Sequence, residues 1–141
     1  MIPNLDRGEQ YEEKFISVVE ALESIPDHPE LMLQKVDTFE KLHLSIEAIM
    51  DVANMVLEDL GEDLGEDFEN VTKLEQLGII DSTLANRLIR CTGLKKLFDY
   101  RYDGFDDRLA LNSVTEIRET IYGFMDIIDG YLEEFEGENG Y

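Results

Sequence analysis

Apolar residues recur at intervals of three and four along nearly the whole chain, which is the spacing of a helix with one buried face. No segment sustains the alternation of period two that marks a half-buried strand. The pattern divides into a first helix from about residue 11 to 24, a long helix from about 29 to 60, and three further segments. It therefore predicts an all-α protein, an up-and-down bundle of four to five helices.

Three of these helices carry seams long enough to build a common core. The first is expected to bury Phe15, Val18, Val19, Leu22 and Ile25. The longest follows a three-four rhythm over eight positions: Val36, Phe39, His43, Ile46, Met50, Ala53, Leu57 and Leu60. The last, beginning between Asp107 and Ser113, is expected to bury Ala110, Val114, Ile117, Ile121, Phe124, Ile128, Leu132 and Phe135.

Residues that typically start or end helices predict the helix boundaries in the middle of the chain. The acidic stretch 61–67, GEDLGED, contains two glycines and is expected to be a solvated loop that ends the long helix. Its carboxylates lack the twelve-residue spacing of an EF-hand, so they do not indicate a calcium site. Thr72 and Glu75 form a capping-box pattern that predicts the start of a short helix, which Gly78 would close. Asp81 is expected to cap the next helix, which Leu84, Leu88, Leu94 and Phe98 would anchor in the core before Asp103-Gly104 ends it.

Length and composition favour one soluble domain. The 141 residues contain no apolar run of the roughly 18 residues that a membrane span needs, and no signal peptide pattern. Cys91 is the single cysteine, so an intrachain disulfide is impossible and a cytoplasmic location is favoured. We expect an N-terminal helical segment over 1–30, a bundle over 31–135 and an acidic flexible tail over 136–141.

The net charge of −21 opposes binding of free nucleic acid at long range, but the charge is unevenly distributed. Five of the twelve basic residues fall between Asp81 and Tyr102, against two acids: Arg87, Arg90, Lys95, Lys96 and Arg101. Two interpretations are open. These cations form a basic groove for RNA or phosphate, or they pair with a neighbouring acidic helix.

The segment GLKKLFDYRYDGFD, Gly93 to Asp106, resembles the signature of the HEPN superfamily and specifically of its HepT-like branch. The matching positions are Gly93, Leu94, Leu97, Phe98, Tyr102, Asp103, Gly104, Phe105 and Asp106. The phrases SIEAIMDVAN and LGIIDSTLANRL and the helix order over about residues 33–134 are also similar to that family. The resemblance implies a HEPN/HepT-like fold, a homodimer and a toxin–antitoxin setting.

The two positions that the family uses for metal-independent RNA cleavage are substituted. Lys95 stands where the resemblance requires arginine, and lysine lacks the planar fork that binds phosphate bidentately. Tyr100 stands where it requires histidine, and a phenol of pKa about 10 is only about 0.1% ionised at pH 7, which makes it a poor general base. Asp99, four residues after Lys95, adds a carboxylate beside the phosphate-binding position.

Tyr102 matches the tyrosine that, in HepT toxins, is AMPylated by a partner nucleotidyltransferase of the MNT type. Such a modification needs an exposed phenol and does not depend on Lys95 or Tyr100. A tyrosine packed at the helix end is the alternative. His28 and His43 form no ligand cluster with Cys91, so the sequence indicates no metal site and no cofactor.

The leading hypothesis is a HepT-like protein without nuclease activity, which acts as a dimeric binding partner of an MNT-type nucleotidyltransferase. A second hypothesis is an active endoribonuclease toxin that uses Lys95 and Tyr100. A third is the substrate-binding subunit of a two-component nucleotidyltransferase. RNA cleavage by the unaltered protein separates the first two, and nucleotide binding tests the third.

Overall fold

A computed structural model of the chain describes residues 5–25, 32–99 and 114–138, with side chains over 7–25, 37–93 and 114–134. These residues form the helices α1 (Leu5–Glu23), α2 (Met32–Asp59), α3 (Asp67–Gln76), α4 (Ser82–Asp99) and α5 (Val114–Glu138). No strand occurs within these ranges. The all-α bundle predicted from the apolar spacing is confirmed.

The long helix α2 forms the centre of the bundle, because each of the other four helices packs against it. Its predicted seam is largely confirmed: Phe39, Ile46, Met50, Ala53 and Leu57 are buried, and His43 and Leu60 are half-buried. Four further α2 residues are equally buried, namely Leu42, Ile49, Val52 and Val56. An apolar stripe this wide is what a helix needs when neighbours cover several of its faces. The side chain of Val36 lies outside the described residues.

Helix α1 runs antiparallel to α2 and is fixed to it at both ends. Near the end of α2, the Arg7 guanidinium donates to Asp59 Oδ1 at 3.0 Å and to the Met55 carbonyl at 3.1 Å. The hydroxyl of Tyr11 donates to Asp59 Oδ2 at 2.7 Å, and this side chain is only 2% exposed. At the other end, Lys41 Nζ approaches the Ser24 carbonyl at 3.4 Å.

The predicted extent and face of α1 need two corrections. The helix begins at Leu5 rather than near Tyr11, because the polar first turn is stabilised by the contacts of Arg7 with α2. Val19 is 37% exposed and not buried, since it lies about 100° around the helix from the buried Val18. The other stripe residues follow the prediction, as Val18, Leu22 and Ile25 are buried and Phe15 is half-buried.

Between α2 and α3 the chain makes a turn that we call the acidic corner, residues 61–69. Gly61 has φ +76°, and the amide of Glu62 donates to the Leu57 carbonyl at 2.9 Å, which closes α2 with a glycine in the left-handed region. Asn70, 1% exposed, then holds the loop from inside. Its Oδ1 accepts from the Gly65 amide at 2.8 Å, while its Nδ2 donates to the Gly65 carbonyl at 3.1 Å and to Asn54 Oδ1 at 2.7 Å.

The predicted start of α3 at Thr72 is wrong. The helix begins at Asp67, and the capping pair is Glu66 with Glu69, whose Oε1 accepts the Glu66 amide at 3.2 Å. Thr72 lies inside the helix, where its hydroxyl donates to the Phe68 carbonyl at 2.9 Å. The residue spacing of a capping box therefore occurs twice in this stretch, and the helix uses the first occurrence.

The other predicted boundaries agree with the structure where it describes them. Gly78 follows α3 with φ +77°, and Asp81 Oδ1 accepts the Leu84 amide at 2.8 Å, which caps α4. The buried residues of α4 include Leu84 and Leu88, and those of α5 include Ile117, Ile121, Phe124 and Ile128, with Val114 and Leu132 half-buried. Outside the described side chains lie Leu94, Phe98, Ala110, Phe135 and the Asp103-Gly104 turn.

Within the described ranges, no helix combines the length and the hydropathy needed to cross a membrane. The division into residues 1–30, 31–135 and 136–141 stays a prediction.

Cys91 lies in the core on α4 and is 4% exposed. Burial, with the nearby charge of Glu116 as a second cause, raises the pKa of its thiol to about 12. The thiolate is the nucleophilic form, so this cysteine is held in an unreactive state at neutral pH.

Tyr11→Phe is expected to lower the free energy of unfolding by about 1.5–3 kcal/mol, because it deletes a half-buried hydrogen bond to a carboxylate. Urea denaturation followed by circular dichroism measures this. The matched control is Tyr122→Phe, whose hydroxyl donates to Glu23 at 2.8 Å at an exposed site. A loss below about 0.5 kcal/mol is expected there. Equal losses in the two variants would contradict a structural role for the Tyr11–Asp59 bond.

The Cys91 thiol is expected to react with iodoacetamide at pH 8 at least about ten times more slowly in the native protein than in urea. Mass spectrometry reads this directly, since the chain has one cysteine, and glutathione in the same tube controls for the reagent. The pKa of the folded state lies above that of the unfolded state. The thiol therefore contributes stability that is complete below about pH 9 and is lost as the pH rises through about 12. Equal alkylation rates in both states would refute this burial.

Candidate functional site

The segment that resembles the HEPN signature begins in the second half of α4. The helix is continuous from Ser82 to Asp99, so it includes the backbone of Lys95 and Lys96. The side chains of these two lysines lie outside the described residues, as do Tyr100, Arg101 and Tyr102 entirely. The roles predicted for these five residues therefore stay predictions.

The backbone of α4 does fix which positions share a face. Positions 95 and 99 are four residues apart in uninterrupted helix, so they lie one turn apart on the same side. A residue five positions after Lys95 would be rotated from it by about 140° if the helical path were extended. On this register, position 99 lies on the same face of the helix as position 95, and position 100 does not.

The described surroundings place this half of α4 at one end of the bundle. Arg90 Nη2 lies 2.7 Å from Glu116 Oε1 in the first turn of α5. Two residues later, Arg118 Nη2 donates to the Leu22 carbonyl at 3.1 Å, at the end of α1. Tyr122 donates to Glu23 at the same junction. The acidic corner lies at the opposite end, where the end of α2 meets the beginning of α1.

The cations described near this end are largely engaged within the protein. Arg90, with a side chain 63% exposed, is paired with Glu116, as the second interpretation of the local charge predicts. Lys41 Nζ lies 2.7 Å from Asp37 Oδ2. Arg118 is half-buried and contacts the end of α1. Arg87 is exposed on the same side of α4 as Arg90.

Sequence reasoning did not identify the contacts that Glu116 makes with α4 or that Arg118 and Tyr122 make with the end of α1. These three residues lie on α5, more than fifteen residues beyond Asp99, and their spacing on an amphipathic helix is that of ordinary surface residues. Only the packing of α5 against α4 brings Glu116 to Arg90.

Other chemistry in the described part of the chain is sparse. His43 Nε2 lies 3.2 Å from Glu47 Oε1 on the next turn of α2, and the described ranges hold no histidine, cysteine and carboxylate cluster suited to a metal ion. An open groove of about 360 Å³ lies between α1 and α2 and is lined by Gln10, Glu13, Lys14, Ser17 and Met55. Lys14 Nζ there is 2.9 Å from Asp51 Oδ2, and none of the lining residues belongs to the motif.

The chain is similar to known proteins both in sequence and in structure. A candidate RNase of Archaeoglobus fulgidus is 38% identical over 130 residues, which cover 92% of this chain and 98% of that protein. A cytosolic protein of unknown function from Bacillus subtilis, YutE, has a similar structure. Its TM-score is 0.82 at 18% identity, and the match covers 100% of this chain and 97% of that one.

A third similar structure is that of a tri-AMPylated HEPN toxin of Shewanella oneidensis in complex with an MNT antitoxin. Its TM-score is 0.69 at 16% identity, with 86% of this chain and 92% of that chain covered. At such identities the structural likeness establishes the fold alone. The model of the family described as ribonuclease HepT-like, however, matches residues 30–128. With the helical bundle and the Archaeoglobus relative, this match shows that the chain belongs to the HepT-like ribonuclease family of the HEPN superfamily.

Proposed function

We propose that this HepT-like protein has lost nuclease activity and acts as the dimeric binding partner of an MNT-type nucleotidyltransferase. The observation that carries the proposal is the pair of substitutions in an otherwise matching motif, Lys95 for arginine and Tyr100 for histidine. A proton shuttle at neutral pH needs a group whose pKa lies near 7, and an ordinary phenol titrates about three units higher.

The register of α4 supports the loss of activity. Position 99 lies one helical turn from position 95 on the same face of α4, so the sequence adds an acidic residue one turn from the position where lysine replaces the phosphate-binding arginine. A negative charge there opposes the approach of an RNA phosphate and competes for the lysine. The three changes fall within six consecutive residues: two replace the residues that perform RNA cleavage, and the third adds a negative charge beside them.

The charges around the motif support the same conclusion. RNA binding depends on cations that can replace the counterions of the phosphates. Arg90 is instead paired with Glu116, and Arg118 is half-buried against the end of α1. The remainder of a chain with net charge −21 adds long-range repulsion.

The proposed partner follows from the kind of complex in which this fold is found. A HEPN toxin of the same fold is AMPylated and bound by an MNT antitoxin. Tyr102 of this chain stands at the matching tyrosine of the motif. AMPylation joins the phenol oxygen to the α-phosphate of ATP with release of pyrophosphate and of the phenol proton. The transferase provides this chemistry, so Lys95 and Tyr100 need not take part.

An active ribonuclease is the second candidate function, and it is favoured by a separate observation. The family is named for ribonuclease activity, and the Archaeoglobus relative, 38% identical, is described as a candidate RNase. In this case Tyr100 would act as the proton donor and Lys95 as the phosphate-binding cation.

The unaltered protein is expected to leave single-stranded RNA intact in buffer containing EDTA. Any residual rate of RNA cleavage should be no greater than that of the Tyr100→Phe variant. Gel electrophoresis of a labelled RNA measures the cleavage. The double variant Lys95→Arg with Tyr100→His tests whether the scaffold can still support the chemistry. Metal-independent cleavage by the unaltered protein that disappears in Tyr100→Phe would overturn the proposal in favour of the second candidate.

With ATP, Mg²⁺ and an MNT-type nucleotidyltransferase, the protein is expected to gain one or more adenylyl groups. Tyr102→Phe should abolish the gain, because it removes the acceptor oxygen. Tyr122→Phe is the matched control and should still be modified, since that phenol lies on α5 against Glu23. Intact-protein mass spectrometry provides the measurement. Absence of both complex formation and modification with the unaltered chain would contradict the proposed partner.

A further inference from the structure

The acidic corner carries two apolar side chains that its own fold leaves exposed. Leu64 is 43% exposed, and Phe68, in the first turn of α3, is 48% exposed. Aromatic side chains are enriched at the centres of protein interfaces, so Phe68 is suited to anchor a protein partner. Around these two side chains, residues 61–69 contain no cation and five carboxylates: Glu62, Asp63, Glu66, Asp67 and Glu69.

The backbone of the corner is fixed from inside the protein. The buried Asn70 accepts a hydrogen bond from the Gly65 amide at 2.8 Å and donates one to the Gly65 carbonyl at 3.1 Å. Lys73 Nζ donates to the carbonyl of Asp63, which holds the residue before Leu64. Because this backbone is already ordered, binding at the corner costs little backbone conformational entropy.

Two carboxylates of the corner are available to a partner. Glu62 and Asp63 are exposed, and the ion pairs of the described residues involve other carboxylates. Glu66 and Glu69 are instead used to cap α3. Even with Lys73 bonded to the Asp63 carbonyl, the corner keeps a large negative charge. It therefore attracts cationic groups and repels anionic ones.

The charge of the corner limits what can occupy it. RNA and an anionic lipid surface carry charge of the same sign and are repelled. A second copy of this chain is a poor fit, because its described cations are already engaged. Among the described side chains, every cation except Arg87 contacts an acceptor of its own chain: Arg7, Lys14, Lys41, Lys73, Arg90 and Arg118. The occupant that fits is a different protein, with unpaired cations around an apolar position.

We propose that the acidic corner is the docking surface for the MNT-type nucleotidyltransferase. The transferase would present a segment in which lysine or arginine residues flank an apolar side chain. This inference rests on the proposed function and names the surface of this chain that holds the partner. Leu64 and Phe68 form the apolar contact, and Glu62 and Asp63 pair with the cations of the transferase.

The corner and the motif are within reach of one transferase molecule. Helix α4 has 18 residues and is therefore about 27 Å long. A compact domain of about 100 residues has a radius of gyration of about 13 Å, and a solid sphere of that radius of gyration is about 34 Å across. Helix α3 begins in the corner and packs against α4. A transferase docked at the corner can therefore extend along the bundle to the motif.

Leu64→Ser combined with Phe68→Ser is expected to weaken binding of an MNT-type nucleotidyltransferase at least about tenfold, as measured by isothermal titration calorimetry. With ATP and Mg²⁺, this variant should raise the KM of the transferase for the protein by a similar factor and leave kcat unchanged, because Tyr102 is intact. Leu77→Ser is the matched control, since Leu77 is 46% exposed but lies beyond the other end of α3. It should change neither value.

A charge reversal tests the same contact independently of the apolar side chains. Glu62→Lys with Asp63→Lys is expected to slow association with the transferase and to make its rate less dependent on salt between about 0.05 and about 0.5 M. Stopped-flow fluorescence measures the rate. Glu12→Lys with Glu20→Lys makes the same change in net charge at exposed positions of α1 and should have a much smaller effect. Circular dichroism confirms that each variant is folded.

Unchanged affinity in the Leu64 and Phe68 variant, while the unaltered protein binds and is modified, would overturn the inference and leave the proposed function standing. Equal losses in the corner variants and in their controls would also overturn it. So would a lower kcat at unchanged KM, because the corner would then act on the chemical step and not on docking. If the unaltered protein neither binds the transferase nor is modified by it, the proposed function fails together with this inference.

Discussion

Burial of α2 on several faces is the constraint on which the rest of the bundle depends. The helix contributes Leu42, Ile49, Val52 and Val56 to the core in addition to its predicted seam, so no single neighbour can cover it. Each of the other helices packs against it, and each gains its own position from doing so. α1 is aligned by Arg7 and Tyr11 at the end of α2, and α3 is held by the bond between Asn70 and Asn54. The position of the motif-bearing α4 therefore also depends on its packing against α2.

Much of this architecture follows from the spacing of apolar residues, because a helix that buries one face must repeat at three and four. What the spacing does not specify is where that face ends. Val19 is adjacent to the buried Val18 and is equally apolar, yet it is exposed, since the neighbouring helices cover only part of α1. The burial of Tyr11 was not predicted from the spacing. A polar hydroxyl can be buried there because it donates a hydrogen bond to the carboxylate of Asp59, 48 residues away. The two capping-box patterns at the start of α3 could not be separated without the fold.

For the candidate site as well, the sequence identifies some features and only the fold shows the others. Sequence alone identified the family and the substituted positions, because the motif is a continuous segment with a fixed frame. The residues that surround α4 belong to other helices, and no local sequence pattern predicts their contacts with it. The pairing of Arg90 with Glu116 and the contact of Arg118 with the end of α1 depend on the packing of α5. The predicted roles of Lys95, Tyr100 and Tyr102 rest on the resemblance and on the register of α4.

The attachment of α1 by Arg7 has a consequence for how the bundle opens. Terminal helices usually fray first, so their amide protons exchange with solvent long before those of the interior. Here the first turn of α1 contacts the last turn of α2 through the guanidinium of Arg7, which donates to Asp59 and to the Met55 carbonyl. Opening of α1 at this end must therefore disturb the end of α2. We therefore expect the two helices to open together and their amides to exchange at similar rates.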